Sequence, residues 1–383
     1  MMRLPKSMTV SAAEAFIADI AQGRADTVQV PTRGNHQATG GEAAFVQALI
    51  TWAAGRASAK LASYATGPDD EVQIERLTRR LYGLAGCLVA DEIVGVRGVQ
   101  LTEVLQRHAL ARLDELQDEA PTDASRGAQL EIVCVDHLAR SCPSSVYTHD
   151  GEGVASVKEL PAFNALAEGL VKEVVPGGLA RTLDPDLVPA IGGALHELFR
   201  NTEEHGRIDD NGDVPTKSIR GFQARRHPIN PEALVALSAQ SPPLERYCRR
   251  LRPARRDNRD VQLIEIAVFD SGPGMASSLA GMPLAKLDPD AERDLVVSCF
   301  RESVSRKRLS SAGLGLPTVV DLLRERKGFL RLRTGRTALY SDLSLEADSA
   351  FGAEPDLQDW FGDRIEGVPV VGTLFTLLFP LEA

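Results

Sequence analysis

The stretch "VQLIEIAVFDSGPGM", Val261 to Met275, narrows the chain's options more than any other. A run rich in valine, isoleucine and leucine stops at Asp270, and a turn built on Gly272 and Gly274 follows. Such a run predicts a strand that delivers an acid and two glycines to its end. An acid at a buried strand end can accept a hydrogen bond from an exocyclic amine. The glycines let backbone come close to a ligand and permit unusual φ angles.

Three further stretches fit that chemistry. In "ALHELFRNTEEHG", Ala194 to Gly206, the residues Glu197, Asn201 and His205 recur every four positions. On a helix they share one face, beside an apolar face with Leu195, Leu198 and Phe199. An asparagine oxygen suits Mg2+, a hard cation that keeps several waters. A carboxylate one turn earlier can orient or deprotonate a water. In "SSAGLGLPTVV", Gly313 and Gly315 precede a helix whose N–H groups suit phosphate oxygens. A closing "GTLF" carries Thr373 on the last predicted strand.

Taken in order, these elements resemble the GHKL ATPase superfamily: type II topoisomerases, heat-shock chaperones of the ninety-kilodalton class, mismatch-repair ATPases and sensor histidine kinases. "ELFRN" looks like the N box, "DSGPGM" the first glycine box, "AGLGL" the second and "GTLF" the final strand signature. The resemblance spans roughly residues 155–383. It implies a Bergerat-type α/β sandwich, with helices on a mixed, mostly antiparallel sheet, and ATP with Mg2+ as ligands. Asn201 would hold Mg2+ and Asp270 the adenine amine, with Thr373 in support. Gly272, Gly274 and Met275 would shape the adenine side, and Gly313, Leu314 and Gly315 would lie along the phosphates. Glu197 matches the general base. The span from Met275 to Ser311 would be the ATP lid, with Arg306 and Lys307 meeting the γ-phosphate. One departure stands out: Ser311 occupies the place where the second glycine box ordinarily begins with glycine.

At 383 residues the chain exceeds one ordinary core, so an α+β protein of two domains is expected. Residues 1–150 read as a small α/β unit for sensing, docking or oligomerisation. Residues 151–383 read as the nucleotide domain. In the first unit "DTVQVPT" and "AKLASYAT" predict strands, while "GGEAAFVQALITWAAGR", "EVQIERLTRRLYGLAGCLVADEI" and "QLTEVLQRHALARLDELQDEA" predict helices. "QLEIVCVDHL" predicts a further strand. No bilayer-length apolar run or basic-then-apolar leader is found, so a cytoplasmic location without membrane contact is expected. Five scattered cysteines fit a reducing compartment. Cys134, His137, Cys142 and His149 have zinc-ligand chemistry but lack the paired spacing of structural zinc.

Between Asn201 and Asp270 the chain reads as a basic insert, at about 207–260. From Lys217 to Arg259 it holds eleven Lys or Arg against three acids. Such clustering is an electrostatic footprint for nucleic acid. The net charge of −10 and the scarcity of stacking aromatics, Phe222 and Tyr247, make a solvated face the preferred reading. The expected function is a Mg2+-dependent ATPase whose lid and domain movements control a protein partner or a second copy. Two alternatives stay open. One is a protein kinase, resembling anti-sigma-factor serine kinases or a divergent histidine kinase, although His108 lacks the acid normally beside a phosphoacceptor. The other is a non-catalytic module that responds to ATP.

Overall fold

A computed structural model describes residues 1–24, 26–34, 39–118, 129–150, 154–209, 211–252, 260–301, 315–362 and 367–381. Four short strands, β1 (Met2–Arg3), β2 (Thr27–Gln29), β3 (Lys60–Ala62) and β4 (Glu92–Val94), pair in parallel and in sequence order. Parallel neighbours need crossovers. These contain helices α1 (Val10–Ala21), α2 (Gly41–Ala54), α3 (Glu71–Thr78) and α4 (Leu81–Val89), and α5 (Thr102–Asp118) follows β4.

The larger sheet has seven strands. They are β5 (Gln129–Cys134), β8 (Arg220–Ile229), β9 (Val261–Phe269), β10 (Phe329–Gly335), β11 (Thr337–Asp342), β12 (Gln358–Asp359) and β13 (Val370–Pro380). Their order is β12-β11-β10-β13-β9-β8-β5, and every pairing is antiparallel. A hairpin of β6 (Tyr147–His149) and β7 (Ala155–Val157) stands apart. The remaining helices are α6 (Leu160–Val174), α7 (Gly177–Ala180), α8 (Leu187–His205), α9 (Pro231–Gln240), α10 (Pro242–Leu251), α11 (Met275–Ala280), α12 (Pro289–Ser298) and α13 (Leu316–Glu325).

Successive side chains of a strand face opposite ways, and here both faces of the large sheet are covered. On the front, Ile264, Ile266, Val268, Leu330, Leu332, Phe375 and Leu377 pack under α6, α8 and α13. On the rear, Ala267, Phe269, Val370 and Leu374 join the core of the N-terminal unit. Helix α2 makes that junction. It is apolar nearly all round, with Phe45, Leu49 and Trp52 at 0% exposure. Such a helix needs cover on every side. It packs on β13 and β9 on one side and on α1 and α4 on the other.

The rear face also carries charge. Arg331 and Arg333 reach Glu14 of α1 at 2.9 and 3.1 Å, and Arg225 reaches Glu42 of α2 at 2.5 Å. Glu265 Oε2 accepts the Gly40 N–H at 2.7 Å. Buried charges persist only when paired in this way. Alternation such as "FLRLRTG" therefore hides its arginines beneath another layer instead of presenting them to water.

Several expectations change. The large sheet is wholly antiparallel among its described strands, and the parallel pairings form a separate sheet. β5, read with the N-terminal unit, is an edge strand of the large sheet. The stretch read as an insert at about 207–260 contains β8, which lies between β5 and β9. The helix predicted from Glu71 onward is two helices followed by β4. Its first half is amphipathic and its second is buried throughout, so the chain turns at Arg80, which is extended. "GFLRLRTGRTALY" is a hairpin, β10 and β11. No helix among the described residues is long and apolar enough to cross a membrane.

Candidate functional site

Helix α8 places three of the polar side chains singled out above. Ile191, Ala194, Leu195, Leu198 and Phe199 anchor it in the front layer. That anchoring turns Asn201 and His205 toward a cavity at the end of β9. The helix stops at Gly206, whose N–H donates to Thr202 O at 2.9 Å. A Cβ at Gly206 would lie 2.5 Å from Asp270 Cβ. Only glycine lets the helix end rest against the acid.

Asp270 is fixed by its neighbours. Its N–H donates to Thr373 O at 3.0 Å. Its Oδ1 accepts the N–H groups of Gly272 at 2.9 Å and Thr373 at 3.1 Å. Oδ2 has no hydrogen-bond partner among the described residues and is left for the cavity. Burial pushes the carboxyl up to about 6, against the pull of the two backbone donors and the Arg220 charge. Near neutral pH the group is an ionised acceptor at the floor of a largely apolar space.

The cavity offers about 930 Å3, part of it open to solvent. It brings together Asn201, Asp270, Gly274, Met275, Gly315 and Thr373, six of the residues expected from sequence. Leu198, Val268 and Phe375 supply apolar wall. Thr334 of β10, which sequence reading missed, ties two of these parts together. Its Oγ1 accepts the Met275 N–H at 3.0 Å and lies 3.3 Å from Thr373 Oγ1. His205 Nδ1 lies 3.2 Å from Ser278 Oγ, so the unassigned histidine belongs to the wall.

Other expected residues sit differently. Gly272 stands behind Asp270 as a donor. Glu197 lies outside the cavity lining, where its Oε2 accepts the Gly315 N–H at 3.1 Å. His196 Nδ1 stands 3.6 Å from Glu197 Oε1, beyond a firm hydrogen bond. Burial pushes the Glu197 carboxyl up, but His196 and the Gly315 N–H outweigh it, and its pKa falls below the ordinary value. Glu197 thus holds, at the start of α13, the N–H expected to lie along phosphates. Gly313, Leu314, Arg306 and Lys307 lie outside the described residues, as does the part of the expected lid beyond residue 301. The described part of that lid contains α11 and α12.

Many cations of the basic stretch are engaged within the chain. Arg220 is fully buried with Asp136 at 2.9 Å and the Tyr147 hydroxyl at 2.7 Å. Lys217 meets Asp91 at 2.6 Å, Arg226 meets Gln262 at 2.8 Å, and Arg250 pairs with Asp342. Arg255, Arg256 and Arg259 lie outside the described residues. Of the four Cys and His residues weighed for zinc, Cys134 is buried in β5, His137 bonds Ser218, and His149 faces the Cys142 carbonyl. No cluster of three or more His, Cys, Asp or Glu that could hold a metal occurs among the described residues.

Comparison with protein-family models, with curated proteins and with solved structures returns no match.

Proposed function

We propose that the cavity binds ATP and that the chain is a Mg2+-dependent ATPase of the GHKL type with a Bergerat-type sandwich. The observation that carries this reading is Asp270. One carboxylate oxygen is tied by two backbone donors, and the other is free for a ligand amine at the floor of an apolar slot. The adenine amine donates to Oδ2, its ring lies against Leu198, Val268 and Phe375, and Thr373 supports the edge. Specificity follows from the acceptor: a base without that amine leaves a buried carboxylate unpaired.

The phosphates extend toward the N-terminus of α13 at Gly315, where the helix dipole favours anions and the Gly315 N–H passes from Glu197 to a phosphate oxygen. Gly313 and Leu314 are assigned to the same run, and Arg306 and Lys307 to the γ-phosphate. The donor chemistry for Mg2+ is one amide, Asn201, which lines the cavity with no hydrogen-bond partner among the described residues. That fits a cation completed by waters and phosphate oxygens better than one held in an all-protein cage. Bound Mg2+ would neutralise phosphate charge. Glu197, one turn before Asn201, takes the proton of the water whose oxygen attacks the γ-phosphorus as the bond to ADP breaks. Binding and turnover alter the contact with a protein partner or a second copy.

Incubation with γ-labelled ATP and Mg2+ tests the reading. Free labelled phosphate is the expected product, abolished by Asp270→Asn. Label retained on protein would mark a serine or histidine kinase instead. Binding without either product would mark an ATP-responsive module.

A further inference from the structure

The two strands that carry the site do not pair evenly. Thr373 of β13 stands opposite Thr334 of β10, but the next pair is Val370 with Gly335. Val371 and Gly372 are therefore extra residues in β13, a bulge next to the acid. Gly372 has φ +72°, and a Cβ there would overlap the Asp270 carbonyl oxygen. The bulge re-aims the backbone so that Thr373 can bond Asp270 on the next strand.

A bulge removes ladder partners, and its backbone groups must find others. Gly372 N–H donates to Gly272 O at 2.9 Å. The groups of Val371 turn to the rear face, toward α2. Val371 N–H donates to Thr51 Oγ1 at 3.0 Å, and Gln47 Nε2 reaches Val371 O at 3.4 Å and Arg333 O at 3.1 Å. Thr51 Oγ1 in turn donates to Gln47 O at 2.9 Å, which fixes the hydroxyl with its lone pair toward Val371. Gln47 is 1% exposed, so no water can replace it cheaply.

We propose that Gln47 and Thr51 of α2 are positioning residues of the nucleotide site, holding the Val371–Gly372 bulge and through it Thr373 and Asp270. The N-terminal unit is then a structural part of that site, and not only a module appended to it. By linkage, nucleotide binding and the seating of α2 reinforce each other by the same factor. The proposal rests on the reading that the cavity binds ATP.

The test uses the full chain carrying Thr51→Val, Gln47→Leu or Thr51→Ser, at a temperature where all remain folded by circular dichroism. Thr51→Val keeps the shape but removes the acceptor of the Val371 N–H. Titration with Mg-ATP is expected to give a dissociation constant about tenfold higher for Thr51→Val and Gln47→Leu, with Thr51→Ser near the parent. Carboxyl 13C titration of Asp270 in the nucleotide-free protein supplies an independent readout. The Asp270 midpoint is expected to rise in Thr51→Val, because a looser Thr373 N–H stabilises the carboxylate less, and to return in Thr51→Ser. Arg220, His205 and Cys299, the other ionisable groups acting on Asp270 or lining the cavity, are unchanged in every variant. An unchanged Asp270 midpoint in Thr51→Val would overturn the positioning role. If the parent binds no nucleotide while the midpoint still moves, the ATP reading fails and the positioning role stands.

Discussion

Asp270 and Thr373 hold each other across two antiparallel strands: the Asp270 N–H donates to Thr373 O at 3.0 Å, and the Thr373 N–H donates to Asp270 Oδ1 at 3.1 Å. The exchange sets the direction of the carboxylate before any ligand arrives. Pre-organisation of this kind lowers the cost of binding. It also makes Asp270 a titrating group whose protonation is felt by the whole fold.

The pH dependence follows from that burial. The folded Asp270 pKa is about 6, above the ordinary 3.8. Below about pH 4 both folded and unfolded chains hold the proton, and the group contributes nothing. As pH rises from there to about 6, the unfolded chain releases the proton first, so stability falls, by roughly 3 kcal/mol in all. Denaturant unfolding of the parent and of Asp270→Asn across that window is expected to show the variant gaining on the parent as pH rises. Parallel curves for the two proteins would refute the assignment. Nucleotide affinity should rise through the same window, because the ligand amine needs the ionised acceptor.

Glu197→Ala should separate binding from turnover. The substitution removes the proposed base and frees the Gly315 N–H at the start of α13. Mg-ATP affinity is expected to be retained or to improve, while phosphate release falls by about a hundredfold or more. Steady release of phosphate by the variant, measured in a coupled assay, would remove Glu197 from the mechanism.

Asn201→Ala should act on the metal's contribution alone. The parent is expected to bind ATP more tightly with Mg2+ than with chelator. The variant should lose that difference and keep the weaker, metal-free affinity. An undiminished Mg2+ effect would assign the ion to another residue.

The rear face makes a prediction about stability. Glu14 serves both Arg331 and Arg333, which are 2% and 1% exposed. Glu14→Ala leaves buried guanidinium charge without its carboxylate, and a loss of about 3–5 kcal/mol is expected in urea unfolding. A loss below about 1 kcal/mol would place this pair with weak surface bridges.

The parts of the fold written in local chemistry were legible. The run from Val261 to Asp270 announced a strand ending in an acid, and the four-residue spacing of Asn201 and His205 put both on the cavity side of α8. Glu197 shares the spacing but sits one turn earlier, outside the lining, where it accepts the N–H of Gly315, a residue that does line the cavity. What depends on distant layers was not legible. "RGFQARRHPI" looked like an exposed basic segment because Arg220 and Arg225 find their carboxylates at Asp136 and Glu42, far away in the chain. Thr334 and the Val371–Gly372 bulge gave no motif, since a bulge is defined by its partner strand and not by its own residues. The all-round apolar character of α2 was a readable sign that a second layer covers it, and the large sheet is that layer.

The most direct measurement is a calorimetric titration of the parent and of Asp270→Asn with Mg-ATP, above pH 6. The asparagine keeps an oxygen for the Gly272 and Thr373 N–H groups but turns an amide, not an acceptor, toward the ligand amine. The parent is expected to bind ATP, and to bind it in preference to GTP. The variant should fold as the parent does and bind at least about tenfold more weakly. Equal affinity in the two proteins, or no binding by the parent, would contradict the account.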